Sequence, residues 1–238
     1  VANKHQICLL NFNQILQTPS GDDQSLVSFM NNMYKHTAGG LATSGIVAYL
    51  VYSTGLFTVL LSGITAWIVF LAPLGMILWY SFKGQDWPLA TLSTFYYAFT
   101  GVLGLSLSSV FAIYSATSIV EAFLTTTLLF GTMAAYGTIT KRDLSGFGSI
   151  LFFGLIGVII ASLVNMFFMS SLFSLIISVV GIVVFLGLTA YDVQTAKRIY
   201  AETGGDARYG IKFAISLYLN FINLFQLILS LTGFSSQE

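Results

Sequence analysis

Seven apolar stretches run through this chain, and its basic residues gather only on alternate links between them. A helix that crosses a bilayer needs about 20 mostly apolar residues. Stretches of that length lie near Tyr34–Tyr52, Leu56–Tyr80, Leu89–Tyr114, Ile119–Thr140, Phe147–Phe168, Leu172–Lys197 and Lys212–Thr232. Lys4 and Lys35 stand at the head of the first, Lys83 between the second and third, and Lys141 and Arg142 between the fourth and fifth. Lys197, Arg198, Arg208 and Lys212 cluster between the sixth and seventh, and the other links and the C-terminal tail carry no Lys or Arg. Lysine and arginine stay on the cytoplasmic side of a membrane. The pattern therefore predicts a cytoplasmic N-terminus and a C-terminus on the periplasmic or outer side.

Lipid offers no partner to a bare backbone N–H or C=O, which restricts membrane spans to helices and closed barrels. A barrel strand needs alternation of apolar and polar residues. The run Leu151-Phe-Phe-Gly-Leu-Ile-Gly-Val-Ile-Ile-Ala-Ser-Leu-Val164 shows none. The expectation is an all-α integral membrane protein with seven transmembrane helices. Only 8% of residues are charged, against about 25% in soluble domains, too few to clothe a soluble surface. The net charge is zero without a basic run, so nucleic acid is not an expected partner. Residues 1–30, with Pro19, Gly21, Asp22 and Asp23, read as a mobile cytoplasmic leader, and residues 31–238 as the seven-helix membrane domain. The links Ser53–Gly55, Ser115–Ser118 and Met169–Ser171 are short enough to force antiparallel neighbours. The pairs Gly40/Ser44, Gly104/Ser108 and Gly157/Ala161 have the spacing that lets helices approach closely in lipid. Pro73 removes one backbone hydrogen bond inside the second span.

Two acids fall inside or at the edge of spans, Glu121 and Asp192. A charge in a bilayer is costly, which makes each a functional candidate. Asp192 has two readings: an interfacial acid paired with Lys197 or Arg198, or a buried ion or proton site with Thr189 one turn away on the same face. On the seventh span Ser216, Asn220, Asn223 and Gln226 follow steps of four, three and three and share a face. That stripe is expected to face the bundle interior, as interhelical glue or as a polar pathway. Glu121, early in its helix, either complements the helix dipole or forms a secondary site. His5 and His36 both precede the first apolar core, which leaves the serines and threonines of the spans without a base, and no hydrolase or metalloprotease motif is present. An enzyme is not expected, nor is a resident cofactor.

Three stretches resemble the Bax inhibitor-1, or transmembrane Bax inhibitor motif, family and within it the bacterial inner-membrane branch. They are Gly131-Thr-Met-Ala-Ala-Tyr-Gly137 leading into Thr140-Lys-Arg-Asp-Leu-Ser-Gly146, then Gly187-Leu-Thr-Ala-Tyr-Asp192, then Leu217-Tyr-Leu-Asn-Phe-Ile-Asn-Leu-Phe225. The resemblance implies seven helices with the last near the centre of the other six. It also implies a location in the inner membrane and a pH-sensitive calcium leak. In the family the leak is associated with an aspartate on the sixth helix and another on the seventh. Asp192 stands at the first position, but Asn220 stands at the second. Some members also carry an arginine latch on the second helix, whereas residues 56–80 here hold no charge.

Two close carboxylates share a proton between them, and an aspartate facing an asparagine does not. The expectation is a passive calcium leak or exchanger with Asp192 as the metal-facing acid. Asn220 and Asn223 would be neutral oxygen ligands, Thr189, Ser216 and Glu121 secondary candidates, and calcium or protons the transported ions. Its pH response is expected to be weak near neutrality. The alternative, also drawn from the resemblance, is a non-conducting regulator that binds other membrane proteins such as a quality-control protease.

Overall fold

The computed structural model describes residues 21–235 as helices joined by short links, and the side chains of all but a few of these. The long helices are α1 (Gly21–Ser53), α2 (Gly63–Lys83), α3 (Leu89–Ile113), α4 (Ala116–Ile139), α5 (Gly148–Phe168), α6 (Ser171–Thr203) and α7 (Ala207–Ser235). A single helical turn, Phe57–Leu60, precedes α2, and 3₁₀ turns at Gly84–Asp86 and Ser145–Phe147 lead towards α3 and α5. No strand occurs among the described residues.

Among the described residues six helices are long and apolar enough to cross a membrane: α2, α3, α4, α5 with its preceding turn, α6, and α7 to Thr232. The seventh expected span falls on α1, whose Gly, Thr and Ser content keeps it outside that group. α1 nevertheless packs along α3 and α7 and turns Ile46, Tyr49 and Leu50 outward. It also starts ten residues before the expected domain boundary at residue 31. Residues 21–30 are helical, with Phe29 and Met30 buried, while the first part of the expected leader lies outside the described residues.

The outer surface is apolar. Phe153, Phe167, Phe168 and Leu172 are each more than two-thirds exposed, which is tolerable where the surrounding medium is hydrocarbon. α7 is the most enclosed element, with 61% of its apolar window buried against at most 39% in any other span. It touches α1, α3, α4 and α6.

Lipid supplies little hydrophobic drive between helices, so close approach and hydrogen bonds must hold them. A Cβ on Gly104 would lie 2.7 Å from the Ser44 carbonyl oxygen, so α3 meets α1 backbone to backbone there. A Cβ on Gly137 would overlap the Ala190 carbonyl, which fixes α4 against α6. α5 joins α6 through Gly148 beneath the Tyr191 ring and Gly154 against Val184. The third expected pair divides: Gly157 is exposed and meets nothing within 4 Å, while Ala161 packs against the cluster of Val158, Ile177 and Val184.

Pro73 orphans the carbonyl four residues earlier, that of Val69. The Ser106 hydroxyl of α3 donates to that oxygen at 2.8 Å, replacing the lost intrahelical bond with an interhelical one.

The basic residues collect at one end. The Lys197 amine donates to the Thr138 carbonyl oxygen, three residues from Lys141. Ser25 on α1 hydrogen-bonds Tyr200 near the end of α6. Asp86, between α2 and α3, interacts electrostatically with Arg208 and Lys212. At the opposite end two links are short and capped by serines: Ser115 Oγ accepts from Ser118 N, and Ser170 Oγ from Phe173 N. The expected short link at Ser53–Gly55 is longer, because α2 begins only at Gly63 after the turn Phe57–Leu60.

Replacing Gly137 with leucine should force α4 off α6 and destabilise the protein by about 1–3 kcal/mol. Gly131→Ala, where nothing lies within 4 Å, should be neutral. Thermal unfolding in detergent checks both, and equal melting of the two variants would contradict the α4–α6 contact.

Candidate functional site

α6 is 33 residues long, about 50 Å at 1.5 Å per residue, well beyond a hydrocarbon core of about 30 Å. Asp192 lies about 16 Å from its basic end at Thr203 and about 32 Å from Ser171. The side chain does not reach for the cations of its own helix. Lys197 is committed to the Thr138 carbonyl at 2.6 Å, close to the C-terminus of α4, where a cation complements the helix dipole. Arg198 is exposed.

The partner of Asp192 is on α7: Asn220 Nδ2 donates to Asp192 Oδ2 at 2.8 Å. Asn220 is buried and Asp192 half-buried. The contact leaves two oxygens, Asp192 Oδ1 and Asn220 Oδ1. Among the described residues one buried side-chain polar atom lacks a well-formed hydrogen bond, the Tyr218 hydroxyl beside Ser44. The two remaining oxygens are therefore not buried orphans. Both are hydrogen-bond acceptors by their chemistry.

The framework around Asp192 is built by the neighbouring residues of α6. Ala190 takes the close approach of Gly137, and Tyr191 covers Gly148. Gln194 clamps the α4–α5 link from both sides: Leu144 N–H donates to its Oε1 at 2.7 Å, and its Nε2 donates to the Arg142 carbonyl at 2.8 Å. Within the link, Asp143 accepts from the backbone N–H and the hydroxyl of Ser145, both at 2.8 Å. Those bonds hold its carboxyl below the usual aspartate range. Neither the role of Gln194 nor the Lys197–Thr138 contact is visible in the sequence. Nothing in the spacing of single residues shows that α6 meets the α4–α5 link.

The other expected site residues do not converge. Thr189 is buried, but its hydroxyl donates to the Phe185 carbonyl of its own helix. Asn223 Nδ2 donates to the Leu219 carbonyl, also within its own helix. Ser216 and Asn223 are half-buried and Gln226 is exposed. The polar stripe of α7 is thus no interior face. Asn220 alone turns into the bundle, while the rest follow the least covered edge of the helix. Glu121 is exposed, with its N-terminal turn capped by Ser115. It lies about 25 Å along α4 from Thr138, far from the pair.

These features define a class: a multi-pass α-helical membrane protein with an acid–amide pair between its sixth and seventh long helices. Residues 26–237 match the family described as inhibitor of apoptosis-promoting Bax1, and the chain belongs to that Bax inhibitor-1 family. It is 39% identical over 228 residues to an uncharacterised protein of Caulobacter vibrioides, covering 89% of this chain and 90% of the relative. An uncharacterised protein of Rickettsia prowazekii is 36% identical over 241 residues, with 94% and 98% covered. The inner membrane protein YbhL of Escherichia coli is 35% identical over 215 residues, with 87% and 92% covered. The six apolar helices and the similarity to YbhL make this a multi-pass protein of the inner membrane.

Gln194→Ala removes two hydrogen bonds worth about 1 kcal/mol each, so the α4–α5 link should open roughly thirtyfold more often. Trypsin cleavage at Lys141 and Arg142 should accelerate by that factor, and an unchanged rate would show that the clamp does not restrain the link. The Asp143 cap should behave as a depressed acid: present above the unfolded aspartate range of about 3.9, and lost as pH falls through its lower folded value. Hydrogen exchange at the Ser145 amide should accordingly be protected from pH 5 upward at a given chemical exchange rate. Loss of that protection between about pH 5 and 8 would exclude the carboxylate cap.

Proposed function

We propose that the protein is a passive cation leak of the inner membrane, with calcium as the transported ion and Asp192 as the intramembrane acid on its path. The observation that carries this reading is the Asp192–Asn220 contact at 2.8 Å. An acid within a spanning bundle costs several kcal/mol unless it is paired or hydrated. Here its partner is a neutral amide, so the negative charge is oriented but not cancelled. The free oxygens of the two residues add acceptors of the hard kind that calcium prefers.

Calcium takes six to eight oxygen ligands, and one carboxylate with one amide oxygen supplies few of them. An ion at this point keeps most of its water and binds weakly, which suits passage rather than storage. Seven membrane crossings follow if α1 is the remaining span, and the basic end then faces the cytoplasm by the positive-inside rule. On that orientation Asp192 sits in the cytoplasmic half of the bundle.

Calcium influx into liposomes holding the purified protein tests the reading. Asp192→Asn should lower the flux by about tenfold, a loss of roughly 1.4 kcal/mol in barrier terms. Equal flux from both proteins removes Asp192 from the path, and no flux from either, with a membrane protease captured by the full chain, would favour the regulator. With a single carboxyl in the pair, flux should follow a shallow one-proton titration. Asn220→Asp should split the response into two steps by introducing a second, coupled carboxyl, and a two-step response in the unmodified protein would contradict this.

A further inference from the structure

α7 separates two groups of helices. α1 and α2 pack on α3, α5 packs on α6, and α6 packs on α4. α3 and α4 follow one another in the chain but scarcely touch. In the half of the bundle away from the basic residues, the gap between them is a cavity of about 230 Å³. Its walls include Ser44 and Gly45 of α1, Val110 of α3, Val120 and Leu124 of α4, and Phe225 of α7.

The lining is hydrocarbon almost throughout. Ser44 is its one polar side chain, and that hydroxyl already donates to the Leu41 carbonyl at 3.1 Å. No charged residue contributes. At the rim Val120 and Leu124 are 55% and 57% exposed, on the outer face of a helix that crosses the membrane. The medium that reaches the opening is lipid chain. Gly45 borders the space directly, since a Cβ there would meet nothing within 4 Å. An apolar cavity of this size does not hold water and accepts apolar guests, and a void left empty would forfeit dispersion contacts on every wall.

We infer that this cavity is a binding site for one acyl chain of a phospholipid from the leaflet opposite the basic residues, inserted between α1, α3 and α4 against α7. A helix from a second copy, about 10 Å wide with side chains, needs more than the 230 Å³ available for even one turn, whereas a single acyl chain is slender enough to enter. The site is separate from the Asp192–Asn220 pair, which none of its lining residues includes.

Photolabelling tests the inference with the full chain in phosphatidylcholine vesicles containing a trace of phosphatidylcholine with a diazirine at the end of one acyl chain. Adducts should concentrate on Gly45, Val110 and Phe225. Gly45→Leu, whose Cβ meets nothing within 4 Å and whose side chain takes up part of the space, should lower labelling at Val110 and Phe225 by about fivefold, because a filled apolar cavity has no room for the guest. Gly157→Leu, on an equally open but lipid-facing stretch of α5, should leave it unchanged. Labelling spread evenly over outward residues such as Leu163 and Phe167 would mean ordinary bilayer contact and overturn the inference, as would cross-linked homodimers joined at the cavity. If Gly45→Leu fails to fold, the distribution of adducts in the unmodified protein and in Gly45→Ala decides by the same criterion.

Discussion

In a bilayer a polar group without a partner has no water to fall back on, and the architecture of this protein follows from that demand. The carbonyl freed by Pro73 is met by Ser106 from the next helix. The Lys197 amine meets a carbonyl near the end of α4. The α4–α5 link, with its own exposed backbone groups, is held by both ends of one glutamine amide. Asp192 is met by Asn220. Each of these bonds also ties two elements together, so satisfaction and assembly are the same event. With apolar contact as available from lipid as from protein, such bonds and the glycine-mediated approaches fix which helices are neighbours.

The acid–amide pair has a consequence for charge that a salt bridge would not. A lysine facing Asp192 would neutralise it, and a second aspartate would share its proton. An asparagine amide donates one hydrogen bond and brings no opposing charge. The nearest cation along the helix, Lys197, turns instead to the Thr138 carbonyl of α4. The α4–α5 link therefore bears on the site without touching it, because the same turns of α6 that hold the link carry Asp192.

α7 has two unlike flanks. Where it meets α6 it presents Asn220. Where it meets α1, α3 and α4 in the opposite half of the membrane it presents Phe221, Ile222 and Phe225 to an apolar cavity. The remaining edge, with Ser216, Asn223 and Gln226, is the least covered part of an otherwise enclosed helix. A polar stripe read from sequence looks like an interior face, since polar residues are expected to avoid lipid. Here only Asn220 meets a partner across the interface. Asn223 satisfies its amide on its own backbone, an alternative that periodicity does not reveal.

Much of the architecture is legible in the chain itself. Apolar runs of membrane-spanning length, basic residues on alternate links and three glycine- and acid-bearing motifs define a helical membrane protein and its family, and they single out Asp192 and Asn220. Those properties depend on composition and local spacing, which a linear sequence carries. Other features belong to the tertiary structure: that α1 begins before its apolar core, that Gly157 faces outward while Gly137 packs, that Lys197 turns to α4 and that Asn220 is the residue meeting Asp192. Each is settled by which helix lies alongside which and by rotation about the helix axis, and a rotation of a few tens of degrees exchanges a buried face for a lipid-facing one without changing a single residue.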